Sequence, residues 1–163
     1  MVDHALAQLH ESVWALRSLP LRNESVPVAL RSLGARAAEG CDGRFGLDAH
    51  GPLADVPDFV AGTLLLVIQE ALTNAIRHGR ATAVTVDVRG DDQAGTIDLS
   101  VTDDGQGFVP GTQRGMDQRH FGLQGMGERV ERLGGSLTIE SGPGRGTSVR
   151  ARVSRHALDA DLA

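Results

Sequence analysis

Glu70, Asn74, Arg77 and His78 have the residue types and the spacing to act together. They fall at i, i+4, i+7 and i+8, on one line of a helix. A carboxylate, an amide and two cationic side chains on an otherwise apolar cylinder need partners, since burying them unpaired is costly. A solvated face is the ordinary explanation of a polar stripe. Here apolar residues fill most of the circumference, so the stripe is expected to line a cleft. Oxygen donors from Glu70 and Asn74 suit Mg²⁺, which takes few protein ligands and completes its shell with phosphates and water. Arg77 and His78 would then lie nearer the phosphate charge.

Three further groups follow along the chain. Asp103-Asp104-Gly105-Gln106-Gly107-Phe108 stands at the end of a strand. Its two glycines let backbone turn sharply and approach a flat ligand without a Cβ in the way. Asp103 can accept a hydrogen bond from an exocyclic amine such as adenine carries, although an ordinary Asp-Gly turn has the same composition. Gly122-Leu123-Gln124-Gly125-Met126-Gly127 reads as a glycine-rich mouth of a helix, where free N–H groups and the positive dipole end make an anion site. The polar stretch Val109–Phe121 before it, with Arg114, Arg119 and His120, reads as a lid over a nucleotide or as a plain surface loop. Thr147, in Gly144-Arg145-Gly146-Thr147, can reach Asp103 or a bridging water if their strands are neighbours; a hairpin turn explains it equally well.

The elements that must position these groups are legible from periodicity. Leu6, Leu9, Val13, Leu16 and Leu19 predict a helix over Asp3–Leu19, stopped by Pro20, and a second run spans Val28–Glu39. Arg44–Leu47 reads as a short strand. Phe59, Val60, Leu64, Leu65, Val67, Ile68, Leu72, Ala75 and Ile76 make Asp58–His78 apolar almost all round, so this helix belongs in a core. Val84-Val86-Val88 and Ile97-Leu99-Val101 alternate as a hairpin, and Leu137-Ile139 pairs with Val149-Ala151-Val153 after a helix over Leu123–Leu133. The last residues, 156–163, are expected to be a flexible tail. Antiparallel hairpins with helices imply an α+β fold, a two-layer α/β sandwich whose mostly antiparallel, mixed sheet carries helices on one face.

Composition narrows the chemistry. The chain has 163 residues and a net charge of -5, which suits a single domain and argues against a nucleic-acid or membrane-surface protein. No stretch is expected to reach the roughly 18 uncharged apolar residues of a membrane span, and the first residues lack a signal-peptide pattern. Cys41 stands alone, so no disulfide framework or cysteine metal site is expected, and a reducing compartment fits. All 16 basic residues are Arg. Without lysine there is no Walker-type phosphate loop, no protein-kinase strand lysine, and no Schiff-base or Ser-Lys chemistry. The 21 glycines exceed the roughly 7 per cent of average usage and cluster between Gly105 and Gly146, which points to functional turns.

Taken in order, EALTNAIRH, DDGQGF, GLQGMGERVERLGG and SGPGRGTSV resemble the N, G1 and G2 boxes of the ATP-binding domain of sensor histidine kinases, a Bergerat (GHKL) nucleotide-binding fold. The resemblance covers about residues 28–153. It is nearest to the sub-family whose response regulators are of NarL/LuxR type, through QEALTNAIRH at Gln69–His78 and FGLQGMGERV at Phe121–Val130. It implies ATP and Mg²⁺ as cofactors, with Asn74 holding the metal and Glu70 assisting it and the incoming acceptor. By the same resemblance Asp103 recognises the adenine amine, with Gly105 and Gly107 as the G1 glycines. Gly122 and Gly125, with Leu123 and Met126, stand at the phosphates. Thr147 stands near adenine, and Arg77 and His78 close the N box.

The front of the chain departs from that pattern. Leu9-His10-Glu11 looks like the family's phosphoacceptor box, but only 60 positions separate His10 from Glu70, too few for two hairpin helices. Residues 1–20 therefore read as the end of the second dimerisation-hairpin helix, residues 21–155 as the catalytic domain. The implied function is transfer of the ATP γ-phosphoryl to a histidine on a hairpin absent from this chain, for relay to a response-regulator aspartate. The implied setting is a homodimeric full-length kinase with this domain in the cytoplasm, membrane-anchored or soluble, and no nucleic-acid partner. An anti-sigma-type serine kinase of the same fold and a nucleotide-binding sensor without catalysis are the alternatives.

Overall fold

Nine of the apolar or small residues between Val60 and Leu72 have almost no exposed surface, so the core is built around this helix. The computed structural model describes residues 26–40, 44–109 and 118–157. In chain order the elements are α1 (Val26–Gly40), β1 (Arg44–His50), α2 (Asp58–Thr73), β2 (Ala83–Asp91), β3 (Thr96–Asp103), α3 (Gln118–Arg132), β4 (Ser136–Ser141) and β5 (Thr147–Ser154). The helix expected over Asp3–Leu19, with His10 and Pro20, lies outside the described residues, as do Cys41 and residues 110–117 of the expected lid.

Pro57 leads into α2, its carbonyl accepting the Ala61 amide at 3.0 Å, and Asp58 sits in the first turn where a carboxylate complements the helix dipole. After Thr73 the helix widens into a π-helical turn, Asn74–His78, in which the Gly79 amide reaches the Asn74 carbonyl at 2.8 Å. The continuous helix Asp58–His78 contains an 18-residue window long and apolar enough, by length and composition, to cross a membrane. That corrects the expectation that no stretch approaches such a span. The apolarity is used internally: 56 % of that window is buried inside the fold.

The sheet has the order β1-β2-β3-β5-β4, with β1 parallel to β2 and every other pair antiparallel. Strand alternation sends Val84, Val86, Val88, Ile97, Leu99, Val101, Val149, Ala151 and Val153 to the side that the helices cover. Each Val, Ile or Leu among them contributes roughly 1.5–3 kcal/mol when removed from water. The other side carries exposed ion pairs, Arg89–Asp87 at 2.8 Å and Arg152–Asp98 at 2.6 Å, of the kind that adds little stability. The mixed, mostly antiparallel α+β sandwich follows the sequence expectation.

Two boundaries differ from it. β1 runs to His50 rather than Leu47 because its parallel register with β2 continues to Arg89. At the C-terminal end Arg155, just before the expected tail, is only 5 % exposed and paired with Asp92, and Ala157 packs against the core. Residues 158–163 lie outside the described residues.

Candidate nucleotide-binding site

The two-residue period of the strands decides which side chains face the helices where the apolar rows end. On β3, Ile97, Leu99 and Val101 lead to Asp103; on β5, Val153, Ala151 and Val149 lead to Thr147; on β4, Leu137 and Ile139 lead to Ser141. The register sets Asp103 opposite Thr147, and Thr147 opposite Ser141. One polar row thus crosses three strands and caps the apolar rows behind it.

The last turn of α2 faces this row. Between them lies a cleft of about 400 Å³, counted out to open solvent at its mouth. Its polar lining is Asn74 from the helix side and Asp103 and Thr147 from the sheet; its apolar lining is Ala71, Val101, Val149, Phe108 and Leu123. Gly79 and Gly107 bring bare backbone to it. A flat apolar slot with convergent polar groups at its edge is the usual form of a small-molecule site.

Glu70 and Asn74 are joined, the Asn74 Nδ2 donating to Glu70 Oε1 at 3.2 Å. The amide nitrogen must face the carboxylate, because the reverse orientation would oppose two oxygens. Asn74 therefore has its carbonyl oxygen left to meet a cation. Among the described residues no three His, Cys, Asp or Glu side chains gather to hold a metal. That donor set fits Mg²⁺, which takes its remaining ligands from phosphates and water.

The G1 glycines are required by close approach. A Cβ on Gly105 would lie 2.6 Å from the Gly79 carbonyl oxygen and 2.8 Å from Asp103 Oδ1, and one on Gly107, whose φ is 61°, would run into the Gly142 carbonyl. Asp103 Oδ1 accepts the Gly105 amide at 2.7 Å, which holds the carboxylate at the strand end. Gln106 ties the surrounding segments together. Its amide donates to the Gly79 carbonyl at 2.8 Å, its side chain donates to the His78 carbonyl at 2.7 Å, and its own carbonyl accepts the Gly144 amide at 2.7 Å. The neighbouring Asp104 turns away to accept the Thr82 amide and hydroxyl at 2.7 Å and the Ala83 amide at 2.8 Å. The Thr82 hydroxyl first, then the Ala83 amide, hold its carboxyl below the usual carboxylate range.

Three expectations are corrected by position. Of the stripe Glu70-Asn74-Arg77-His78, Asn74 lines the cleft, whereas Arg77 lies exposed in the π-helical turn and neither it nor His78 is among the lining residues. The second concerns the helix mouth: α3 begins at Gln118, so Gly122, Gly125 and Gly127 lie inside the helix and not at its open end. Arg119 and His120 belong to its first turn. Third, Met126 is fully buried in the core, while Leu123 of the same segment does reach the cleft. Gly122 has a different reason to be glycine: a Cβ there would overlap Glu70 Oε1 and lie 2.7 Å from its Cδ. Ser141 and Gly79 belong to the site and were not singled out from sequence, and Gln106 and Phe108 were named only as members of the Asp103–Phe108 motif, without a role. Of these only Ser141 has a readable signal, its two-residue step beyond Ile139.

A profile of histidine kinase-, DNA gyrase B- and HSP90-like ATPases matches residues 60–157. The nitrate/nitrite sensor protein NarQ of Escherichia coli is 33 % identical over 91 % of this chain and 25 % of its own length. The histidine-protein kinase/phosphatase DegS of Brevibacillus brevis is 31 % identical over 91 % of this chain and 37 % of its own. UhpB of Salmonella typhimurium is 45 % identical over 53 % of this chain and 16 % of its own. The chain thus spans well under half the length of these relatives. In fold it is similar to the histidine kinase domain of the Erythrobacter litoralis EL346 blue-light activated kinase, with a TM-score of 0.61 at 24 % identity, covering 80 % of this chain and 61 % of that one. It is also similar to the ATP-binding domain of PrrB from Mycobacterium tuberculosis, with a TM-score of 0.58 at 22 % identity, covering 80 % and 94 %. With its cleft between the α2 end and the Asp103–Thr147 row, the chain belongs to the family of histidine kinase-, DNA gyrase B- and HSP90-like ATPases and carries that family's ATP-binding domain.

Proposed function

We propose that this chain is the catalytic domain of a two-component sensor histidine kinase, transferring the γ-phosphoryl of ATP to a histidine on a separate dimerisation hairpin. The observation that carries the reading is one cleft with Asn74 on one wall and Asp103 with Thr147 on the other. Adenine enters the apolar slot between Ala71, Val101, Val149 and Leu123, and Asp103 accepts a hydrogen bond from its exocyclic amine. Gly105 and Gly107 keep the surrounding backbone close without side chains in the way. The triphosphate then extends toward Asn74 and Glu70. Asn74 through its amide oxygen, assisted by Glu70, would hold Mg²⁺, which neutralises triphosphate charge when bound. Glu70, pinned between Asn74 and Gly122, is placed to orient the incoming imidazole. Such transfer depends on positioning and charge neutralisation, for which no lysine is needed.

On this reading the phosphoryl group is relayed to a response-regulator aspartate, and the motifs at Gln69–His78 and Phe121–Val130 support a regulator of NarL/LuxR type. The whole protein acts as a homodimer with this domain in the cytoplasm. Titration with ATP, with and without Mg²⁺, followed by mixing with a purified histidine-bearing hairpin, tests the reading. Mg²⁺-dependent binding and acid-labile phosphohistidine are expected. Label on a serine-bearing antagonist instead would favour the serine-kinase alternative, and binding without transfer to either would make the domain a nucleotide sensor.

A further inference from the structure

On α3, Gly122, Gly125 and Arg129 fall at i, i+3 and i+7, along one flank of the helix beside the core face made by Met126, Val130 and Leu133. Both glycines leave room for a charged group. At Gly122 the space is taken by the Glu70 carboxylate, which a Cβ would overlap. At Gly125 it is taken by the Arg129 guanidinium, whose Nη1 lies 3.1 Å and whose Cζ lies 3.8 Å from where a Cβ would stand. Helical side chains lean toward the N-terminus, so Arg129 reaches back over the preceding turn and its head settles against bare backbone. A carboxylate and a guanidinium are thus held on one flank, about 4.5 Å of helix rise apart. Among the described residues Arg129 makes no hydrogen bond or ion pair, and its side chain is exposed.

None of the ten described residues that line the cleft is cationic. With Mg²⁺ on Asn74, the triphosphate still needs a further positive group at its γ end. Arg80 and Arg145 stand at the other end of the cleft, one next to Gly79 and one beside Gly142, in the turns around Asp103. Arg129 stands on the Glu70 side. We propose that Arg129 is a catalytic residue, an arginine supplied in cis that binds the γ-phosphoryl oxygens while the group passes to the acceptor imidazole. The proposal rests on the ATP reading above and adds to it the cation that the cleft lining lacks. In the step, one imidazole nitrogen forms a bond to the γ-phosphorus as the bond from that phosphorus to the bridging oxygen breaks, and the electron pair leaves on ADP. The other ring nitrogen keeps its proton, hydrogen-bonded to Glu70. The guanidinium has no partner to give up, so it moves from Gly125 onto the phosphoryl group at little cost. There it offers paired N–H donors and loses no proton.

Single-turnover transfer of radiolabel from ATP to a purified histidine-bearing hairpin separates the possible roles, run at saturating ATP and Mg²⁺ over a range of hairpin concentrations. Arg129→Ala is expected to lower the maximal rate on the order of 100-fold. The hairpin KM, and the ATP Kd from calorimetry, are expected to stay within about threefold of wild type. Arg129→Lys keeps the charge without the planar fork and is expected to recover roughly tenfold of the lost rate. Arg132→Ala, at an exposed position further along α3, is expected to transfer at the wild-type rate. If the Ala variant does not fold, Arg129→Gln removes the charge with less loss of side chain and is expected to show the same fall. A raised hairpin KM at unchanged maximal rate would make Arg129 a docking residue for the hairpin, and that result overturns the proposal. So does a loss of ATP affinity that accounts for the whole fall in rate. Transfer at the wild-type rate in Arg129→Ala overturns this proposal alone; wild-type protein that transfers no label to the hairpin overturns the reading beneath it as well.

Discussion

Three glycines inside α3 have different surroundings, and replacing each with alanine separates a functional glycine from a dispensable one. An alanine in a helix interior is better than glycine by about 0.8–1 kcal/mol. At Gly127 nothing lies within 4 Å of the added Cβ, so Gly127→Ala should stabilise the domain by nearly that amount and leave nucleotide affinity unchanged. At Gly125 the nearest atom is the Arg129 guanidinium at 3.1 Å, a flexible side-chain end, so a smaller gain is expected. At Gly122 the new Cβ overlaps Glu70 Oε1, and the carboxylate must leave its bond with Asn74. Breaking that bond costs about 0.5–1.5 kcal/mol and a displaced rotamer a similar amount, which cancels the propensity gain. Gly122→Ala should therefore lower stability by no more than about 2 kcal/mol while phosphoryl transfer to a hairpin falls about tenfold or more. Urea denaturation, ATP titration and transfer of radiolabel, run on all three variants, read these effects together. Full transfer activity in Gly122→Ala, or a loss of stability in Gly127→Ala, would refute the reasoning.

Further outcomes are expected from single changes. Asn74→Ala removes the amide oxygen assigned to the cation, so ATP titration should lose its Mg²⁺ dependence while circular dichroism stays unchanged. Asp103→Asn replaces an acceptor-only carboxylate with an amide and should weaken ATP by about 1.5–3 kcal/mol, and inosine triphosphate by less, in the same titration. Asp104 has a depressed carboxyl pKa in the folded state, so its contribution to stability is present above its ordinary value of 3.8 and is lost as pH falls through the depressed one. Urea midpoints measured from pH 6 down to pH 3 should show part of the acid loss disappear in Asp104→Asn. Leu64→Ala, at a position 2 % exposed in the middle of α2, should cost about 2–5 kcal/mol in urea denaturation.

The strands and the central helix were legible because their apolar periods are strong and each buries one face. The same period carries past Val101 and Val149 to Asp103 and Thr147, which is why both side chains come to the cleft. The two hairpin pairings were legible, and the pairings of β1 with β2 and of β3 with β5 were not, since both depend on the long connections through α2 and α3. The π-helical turn was hidden as well. Asn74–His78 has no proline or glycine to mark it, and Gly79, where the chain must clear the Ala75 carbonyl, follows it. The start of α3 was missed because Gly122 and Gly125 looked like loop residues, whereas Gly122 is glycine to make room for Glu70 of another helix. Contacts of that kind, like the three hydrogen bonds of Gln106, join segments distant in sequence and leave no local trace.

The central claim is that one nucleotide bridges the α2 end and the β3–β5 row. A crystal structure of the domain with a nonhydrolysable ATP analogue and Mg²⁺ tests this most directly. The amine of adenine should lie within hydrogen-bond distance of Asp103, with Thr147 at the same ring edge and the metal on the Asn74 amide oxygen. Adenine bound elsewhere, or phosphates gathered on the exposed Arg77 with Asn74 uninvolved, would contradict the account.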